Sequence, residues 1–95
     1  MTEIEYLLIC LAEECSEVAK IASKTLRFGL EEKREGYEKN NRERLEEELI
    51  DLFTVMEVLS EKGVKLNIFQ PNKIMAKKEK IEKYYQYSLA CKKQL

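Results

Sequence analysis

Apolar positions along the chain follow the 3.6-residue period of an amphipathic helix in three separate stretches. In the first stretch, residues 2–26, the periodic positions are Ile4, Leu7, Leu8, Leu11, Val18, Ile21, Ala22 and Leu26. Thr2 is the expected N-cap, and Glu5 stands where it would complete a capping box. Gly29 follows as the expected stop signal. The pattern predicts one long opening helix.

The same period returns in residues 41–62, which predicts a second helix. Its stripe consists of Leu45, Leu49, Leu52, Val55, Met56 and Leu59. Phe53 and Val58 widen the apolar surface, so this helix is expected to touch more than one partner. Asn41 is the expected N-cap, and Gly63 ends the helix.

A third helix is predicted for residues 71–91, because Pro71 suits the first position of a helix. Its apolar stripe is Ile74, Ile81, Tyr85 and Leu89. Residues 64–72 before it are expected to form an extended connector that packs on the bundle, with a short β-like stretch as the alternative. The charged residues 30–40 predict a mobile loop, for which a lid over a ligand and plain disorder are equally open. The chain is therefore expected to be all-α.

Composition bounds the class of protein. Ninety-five residues predict a single domain, residues 1–95, with a small core that oligomerisation would help to stabilise. No apolar run approaches the ~20 residues of a membrane span. The acidic start, Met1–Glu5, lacks the basic region of a signal peptide. Three cysteines without a C-x-x-C pair fit a reducing compartment. We therefore expect a cytoplasmic protein without a membrane partner.

The chain contains no histidine, which limits the chemistry that it can perform. Ser-His-Asp and Cys-His catalysis, His-ligated zinc and the commonest general base are all excluded. Any reaction has to use carboxylates, Lys, Tyr or water activated by a metal ion.

Charge is divided unevenly along the chain. Residues 1–71 carry 10 Lys and Arg against 16 Asp and Glu, whereas residues 72–95 carry 7 Lys against 2 Glu. The formal charges are −6 and +5. Such a division suits a site that binds a cation and a polyphosphate together, or two regions that simply attract each other. A basic stripe is also typical of nucleic-acid binding, but the acidic body and a pI near 5.6 argue against a nucleic-acid partner.

Two pairs of acids interrupt the apolar stripes of the first two helices. Glu14 and Glu17 share one helix face at i,i+3 spacing, as do Glu48 and Asp51 on the next helix. The residues at positions −7, −4, −3, +4 and +7 from Glu14 are all apolar, namely Leu7, Cys10, Leu11, Val18 and Ile21. A buried carboxylate is costly unless it is paired or binds a metal ion. Two antiparallel helices would bring the four acids together, and hard oxygen ligands favour Mg²⁺ or Mn²⁺.

A second candidate feature lies on the third predicted helix. Lys73, Lys77, Lys80 and Tyr84 follow one another at spacings of 4, 3 and 4 and therefore share a face. The lysines would neutralise a triphosphate and Tyr84 would order a ligand. A solvated basic face explains the same spacing.

The acidic motifs resemble the signature of the MazG-like all-α nucleoside triphosphate pyrophosphohydrolases. Glu13-Glu14-x-x-Glu17 is followed by Glu48-x-x-Asp51, with Leu11-Ala12 and Leu26-Arg27-Phe28-Gly29 around the first motif. The similarity covers residues 4–62 well and the segment from Asn72 to Tyr84 more loosely. Two features depart from the pattern. The spacer between the motifs is longer than usual, which bears on loop 27–41, and Ile50 stands where many members have Gly.

The resemblance implies a MazG-like helical bundle that is completed by oligomerisation, as a homodimer or homotetramer. It also implies hydrolysis of a (d)NTP to (d)NMP and pyrophosphate by a water molecule that Mg²⁺ activates, with Mn²⁺ as a substitute. Glu14, Glu17, Glu48 and Asp51 would be the metal ligands, and Glu13 a further ligand or a positioning group. The substrate-binding residues would be Asn72, Lys73, Lys77, Lys80 and Tyr84. Similarity to short phage-type members favours a purine dNTP. The competing hypothesis is a non-catalytic helical module that oligomerises or binds a partner.

Overall fold

The chain forms three helices: α1 (Glu3–Phe28), α2 (Asn41–Glu61) and α3 (Pro71–Ala90). The computed structural model describes residues 1–91, and residues 92–95 of the predicted domain lie outside this range. No strand occurs in residues 1–91, so the all-α prediction is confirmed. None of these helices combines the length and apolar character that crossing a bilayer requires.

The helix starts follow local side-chain chemistry, with one correction to the predicted caps. Thr2 caps α1 as expected, because its hydroxyl accepts a hydrogen bond of 3.1 Å from the Glu5 N–H. The cap of α2 is Asn40, whereas Asn41 was predicted. The Asn40 side chain accepts from the Glu43 N–H at 2.9 Å, and the Glu43 carboxylate accepts from the Asn40 N–H at 3.2 Å. This capping box leaves Asn41 as the first helical residue.

Helices α1 and α2 pack against each other and bury part of the two predicted stripes. Leu7 and Ile21 of α1 and Leu59 of α2 are buried. Most other stripe residues are half-buried: Ile4, Leu11, Val18, Leu45, Leu52, Val55 and Met56. Leu26 was predicted to share this stripe, but it is 88% exposed near the end of α1. The helical hairpin therefore has a thin core.

Helix α3 packs on neither of the other two helices. All of its residues are exposed, including Ile81 and Leu89 of its predicted apolar stripe. The radius of gyration is 17.2 Å, against about 12.4 Å for a compact chain of this length. The accessible surface is 8180 Å², against roughly 5,700 Å² for a folded monomer of this mass. Within one copy of the chain, the large apolar side chains of α3 remain 42–67% exposed.

The loop between α1 and α2 is tied to the first turn of α2. The Asn41 N–H donates to the Glu32 carbonyl at 3.0 Å, and the Arg42 N–H donates to the Leu30 carbonyl at 2.9 Å. The buried Asn41 side chain donates to the Gly29 carbonyl at 2.8 Å and to the Glu32 carboxylate at 2.9 Å. These bonds tie residues 29–32 to the start of α2, and the mobility predicted for residues 30–40 stays a prediction.

Candidate metal centre

Three of the predicted acids come together where α1 packs on α2. One carboxylate oxygen from each of Glu14, Glu48 and Asp51 lies within 4.8 Å of the others. Glu14 and Glu48 are half-buried and Asp51 is exposed, so the cluster lies at the edge of the helix interface. The helical period places Glu48 and Asp51 on one face of α2, and the packing of the hairpin brings Glu14 opposite them.

The surroundings of Glu48 disfavour its charged form. The pKa of Glu48 is raised above its ordinary value of 4.5, first by burial and then by the negative charges of Glu17, Asp51 and Glu14. The positive charge of Arg44, one helical turn earlier, acts in the opposite direction and is the weakest of these influences. A cation among these carboxylates would reverse the unfavourable balance, because it favours their ionised forms.

Two other predicted acids lie beside this cluster rather than in it. Glu17 is exposed and, within residues 1–91, does not contribute an oxygen to the group of three. Glu17 is still near enough to Glu48 to raise the pKa of Glu48, and both residues line a small cavity of about 60 Å³. Glu13 is exposed.

The predicted substrate-binding residues are not brought to the acidic cluster within one copy of the chain. Asn72, Lys73, Lys77, Lys80 and Tyr84 all lie on α3 and are exposed. Since α3 packs on neither α1 nor α2, none of these residues contacts the hairpin helices. A role for them at the site would require α3 to come from a second copy.

The cationic side chains that do lie beside the acids belong to α1 and α2. Lys20, Lys24 and Arg44 line the 60 Å³ cavity together with Glu17 and Glu48. The sequence analysis assigned none of these three cations to the site. Helical spacing could have identified them. Lys20 and Lys24 stand three and seven residues after Glu17, and Arg44 stands four residues before Glu48, so each cation shares a helix face with an acid.

The donor set fits a hard divalent cation. It consists of carboxylate oxygens, which are the ligand type that Mg²⁺ and Mn²⁺ prefer, and it includes neither a thiolate nor an imidazole. Oxygens bound to one Mg²⁺ at about 2.1 Å lie at most about 4.2 Å apart. The three oxygens lie within 4.8 Å of one another, which is near this limit, so small side-chain rotations are sufficient to bring them around one ion.

Comparison of the chain with protein-family models, with curated proteins and with solved structures found no match.

Proposed function

We propose that the protein is a Mg²⁺-dependent nucleoside triphosphate pyrophosphohydrolase of the MazG-like type. The supporting observation is the convergence of Glu14, Glu48 and Asp51 at a half-buried position beside a run of cationic side chains. This combination suits a substrate that binds a metal ion at one end and carries further negative charge along its length. In the proposed reaction, water attacks the α-phosphorus of a (d)NTP and the bond to the bridging oxygen breaks. The products are (d)NMP and pyrophosphate.

Three carboxylates would hold the ion, and Glu17 would support them. Glu14, Glu48 and Asp51 present the oxygens, while Glu17 adds negative charge beside Glu48. Mg²⁺, or Mn²⁺ in its place, would neutralise phosphate charge and lower the pKa of water at the site. Glu13 is exposed, and its proposed role is to position this group of acids. Phosphoryl transfer depends mainly on positioning and on charge stabilisation, so the absence of histidine from the chain is no obstacle.

The proposal includes an oligomer, with a homodimer or homotetramer as the expected state. The exposed apolar residues of α3 and a groove of about 570 Å³ on α2 support it. The groove is lined by α2 residues that include Leu49 and Phe53, and by Leu66, Ile68 and Phe69 of the connector. A second copy would cover these surfaces, and its α3 would bring the lysines predicted for substrate binding.

The alternative function is a non-catalytic helical module that oligomerises or binds a partner protein. The observation that favours it is the same exposed apolar surface, which suits an assembly role whether or not the acids bind a metal ion. The two functions differ in what they require of the acidic cluster. A module would tolerate neutral residues there, whereas the hydrolase would not.

The assay that tests the proposal is release of pyrophosphate from a panel of nucleoside triphosphates in the presence of Mg²⁺. We expect release from at least one (d)NTP, with a purine dNTP as the favoured substrate, and no release when EDTA replaces Mg²⁺. The wild type and Glu48→Gln would be compared at equal concentration. Absence of pyrophosphate from the whole panel, at every Mg²⁺ and Mn²⁺ concentration, would refute the hydrolase and leave the module as the explanation.

A further inference from the structure

A second cavity, of about 310 Å³, lies between the end of α1, the loop after it and the start of α2. Four of its lining side chains are cationic: Lys24, Arg27, Arg34 and Arg44. Its one acidic side chain, Glu32, accepts a hydrogen bond from the buried Asn41 amide at 2.9 Å. Within residues 1–91, none of the four cations forms an ion pair with a carboxylate within 4.0 Å. The cavity thus concentrates positive charge in an otherwise acidic hairpin.

Three of these cations contact aromatic rings. The guanidinium carbons of Arg34 and Arg44 lie 5.5 and 5.0 Å from the centre of the same ring, that of Tyr37. Arg27 lies 5.4 Å from the ring of Phe28. Cation–π attraction stabilises each contact, but two like charges beside one ring also repel each other. Both arginines line the 310 Å³ cavity, and an anion bound there would offset this repulsion.

The basic cavity continues towards the acidic cluster. The 60 Å³ cavity shares Lys24 and Arg44 with the 310 Å³ cavity and shares Glu48 with the group of three acids. Charge therefore changes from negative to positive along a continuous surface of α1 and α2. A ligand with one phosphate bound through a cation and further phosphates beyond it would match this order of charges.

We propose that the 310 Å³ cavity binds the pyrophosphate portion of a nucleoside polyphosphate, with Arg34 and Arg44 as its principal contacts. This inference rests on the proposed function for the orientation of the substrate, because the leaving group would lie on the side of the site away from the acids. Arginine suits the role, since its planar donor fork matches the oxygens of a phosphate. The hydrogen bonds of Asn41 to the loop hold the cavity in place before the ligand binds.

The direct test is calorimetric titration of the full chain with inorganic pyrophosphate, in EDTA and at constant ionic strength. We expect saturable binding by the wild type and at least about tenfold weaker binding by Arg34→Gln, because a charge-assisted contact is lost. Lys33→Gln is the matched control, since it removes the same charge from the neighbouring exposed residue, which does not line the cavity. Arg27→Gln, a second variant outside the loop, should weaken binding several-fold. Circular dichroism would verify the helical content of each variant.

The outcomes separate this inference from the proposed function. Binding in EDTA needs neither hydrolysis nor a metal ion, so a wild type without hydrolase activity that still binds pyrophosphate through Arg34 would support the cavity alone. Conversely, hydrolysis together with equal pyrophosphate binding by wild type, Arg34→Gln and Lys33→Gln would overturn the cavity alone. No saturable binding of pyrophosphate would also overturn it. A third result would overturn the cavity as well: Arg34→Gln weakens binding of 2′-deoxyadenosine but leaves pyrophosphate binding unchanged. The cavity would then hold a base.

Discussion

The α1–α2 hairpin and α3 carry similar helical signals in the sequence, yet they have different outcomes in the structure. The hairpin buries Leu7, Ile21 and Leu59 between two facing stripes. Helix α3 has a stripe of the same period and leaves it exposed. An apolar stripe indicates that a helix needs a partner surface, but it does not say whether that surface belongs to the same copy of the chain.

Charge differs between the two regions as strongly as packing does. The hairpin and connector are acidic and place three carboxylates in one cluster. The lysines of α3 are exposed along the helix, and the only acidic residues within α3 are Glu79 and Glu82. The comparison supports a division of roles in the proposed oligomer, in which the hairpin would carry the chemistry and α3 would complete the assembly and supply lysines to the substrate.

The largest effect is expected from neutralising an acid in the hairpin cluster. Glu48→Gln keeps the side-chain volume but removes a proposed metal ligand, so pyrophosphate release should fall by about two orders of magnitude or more. Glu46→Gln is the matched control, because it removes a charge from an exposed position of α2 outside the cluster. Steady-state release of pyrophosphate in Mg²⁺ measures both variants. Equal loss in both, or in neither, would contradict a metal site at the cluster.

Mg²⁺ should stabilise the folded chain by binding the cluster. At a Mg²⁺ concentration of 100 Kd, mass action predicts about 2.7 kcal/mol of stabilisation. For a domain of this size, that corresponds to a rise in Tm of roughly 10 °C or more. Glu48→Gln should lose most of this shift, and its Tm in EDTA should equal or exceed that of the wild type because one crowded like charge is gone. Thermal unfolding in EDTA and in Mg²⁺ tests this. If the variant is much less stable in EDTA and still active in Mg²⁺, Glu48 belongs to a structural ion pair instead.

A charge in the α2 groove should weaken self-association. Phe53 is 53% exposed and lines the groove. Full burial of a side chain of this size contributes about 1.5–3 kcal/mol, and covering the exposed half of Phe53 would contribute roughly half of that. Phe53→Glu should therefore shift the protein towards monomer in light scattering. Ile9→Glu, which places the same charge on exposed α1 surface outside the groove, should have less effect. A wild type that is a stable, cooperatively folding monomer at micromolar concentration would refute the oligomer.

Stability without metal should depend on pH through Glu48. Its folded pKa is raised above the ordinary 4.5, so the folded state binds this proton more tightly than the unfolded chain does. The contribution to stability is therefore complete below pH 4.5 and is lost as the pH rises through the folded pKa. In EDTA, the Tm of the wild type should rise relative to that of Glu48→Gln as the pH is lowered from 7 towards 4.5. A difference between the two that does not change with pH would mean that the cluster does not disfavour the charged form.

The smallest effect is expected from α3. If α3 of a second copy reaches the site, Lys77→Ala should raise KM for the nucleotide by a few-fold, because one exposed charge contact contributes about 1 kcal/mol. The wild type should not shift a duplex DNA band at physiological salt. Steady-state kinetics and a gel-shift assay measure the two effects. Unchanged nucleotide kinetics together with salt-sensitive DNA binding would make α3 a nucleic-acid surface.

Local sequence patterns specify the three helices, most of their ends and the helix face on which each acid lies. These features depend on neighbours within four residues, such as the Thr2 cap, Pro71 at the start of α3 and the i,i+3 spacing of Glu48 and Asp51. The one mistaken cap followed from two adjacent asparagines, either of which has the chemistry to begin α2. In the structure Asn40 is the N-cap of α2, and the side chain of Asn41 donates a hydrogen bond to the loop.

Tertiary structure alone decided which of these features meet. Glu14 joins Glu48 and Asp51 while Glu17 stays beside them, because the packing of α1 on α2 sets which turns of the two helices face each other. Asn41 holds the carbonyl of Gly29, twelve residues earlier, and so shapes the basic cavity. The exposure of α3 was equally hidden in the sequence. A helical period specifies an apolar face, whereas the presence of a surface to cover that face depends on how the whole chain folds and associates.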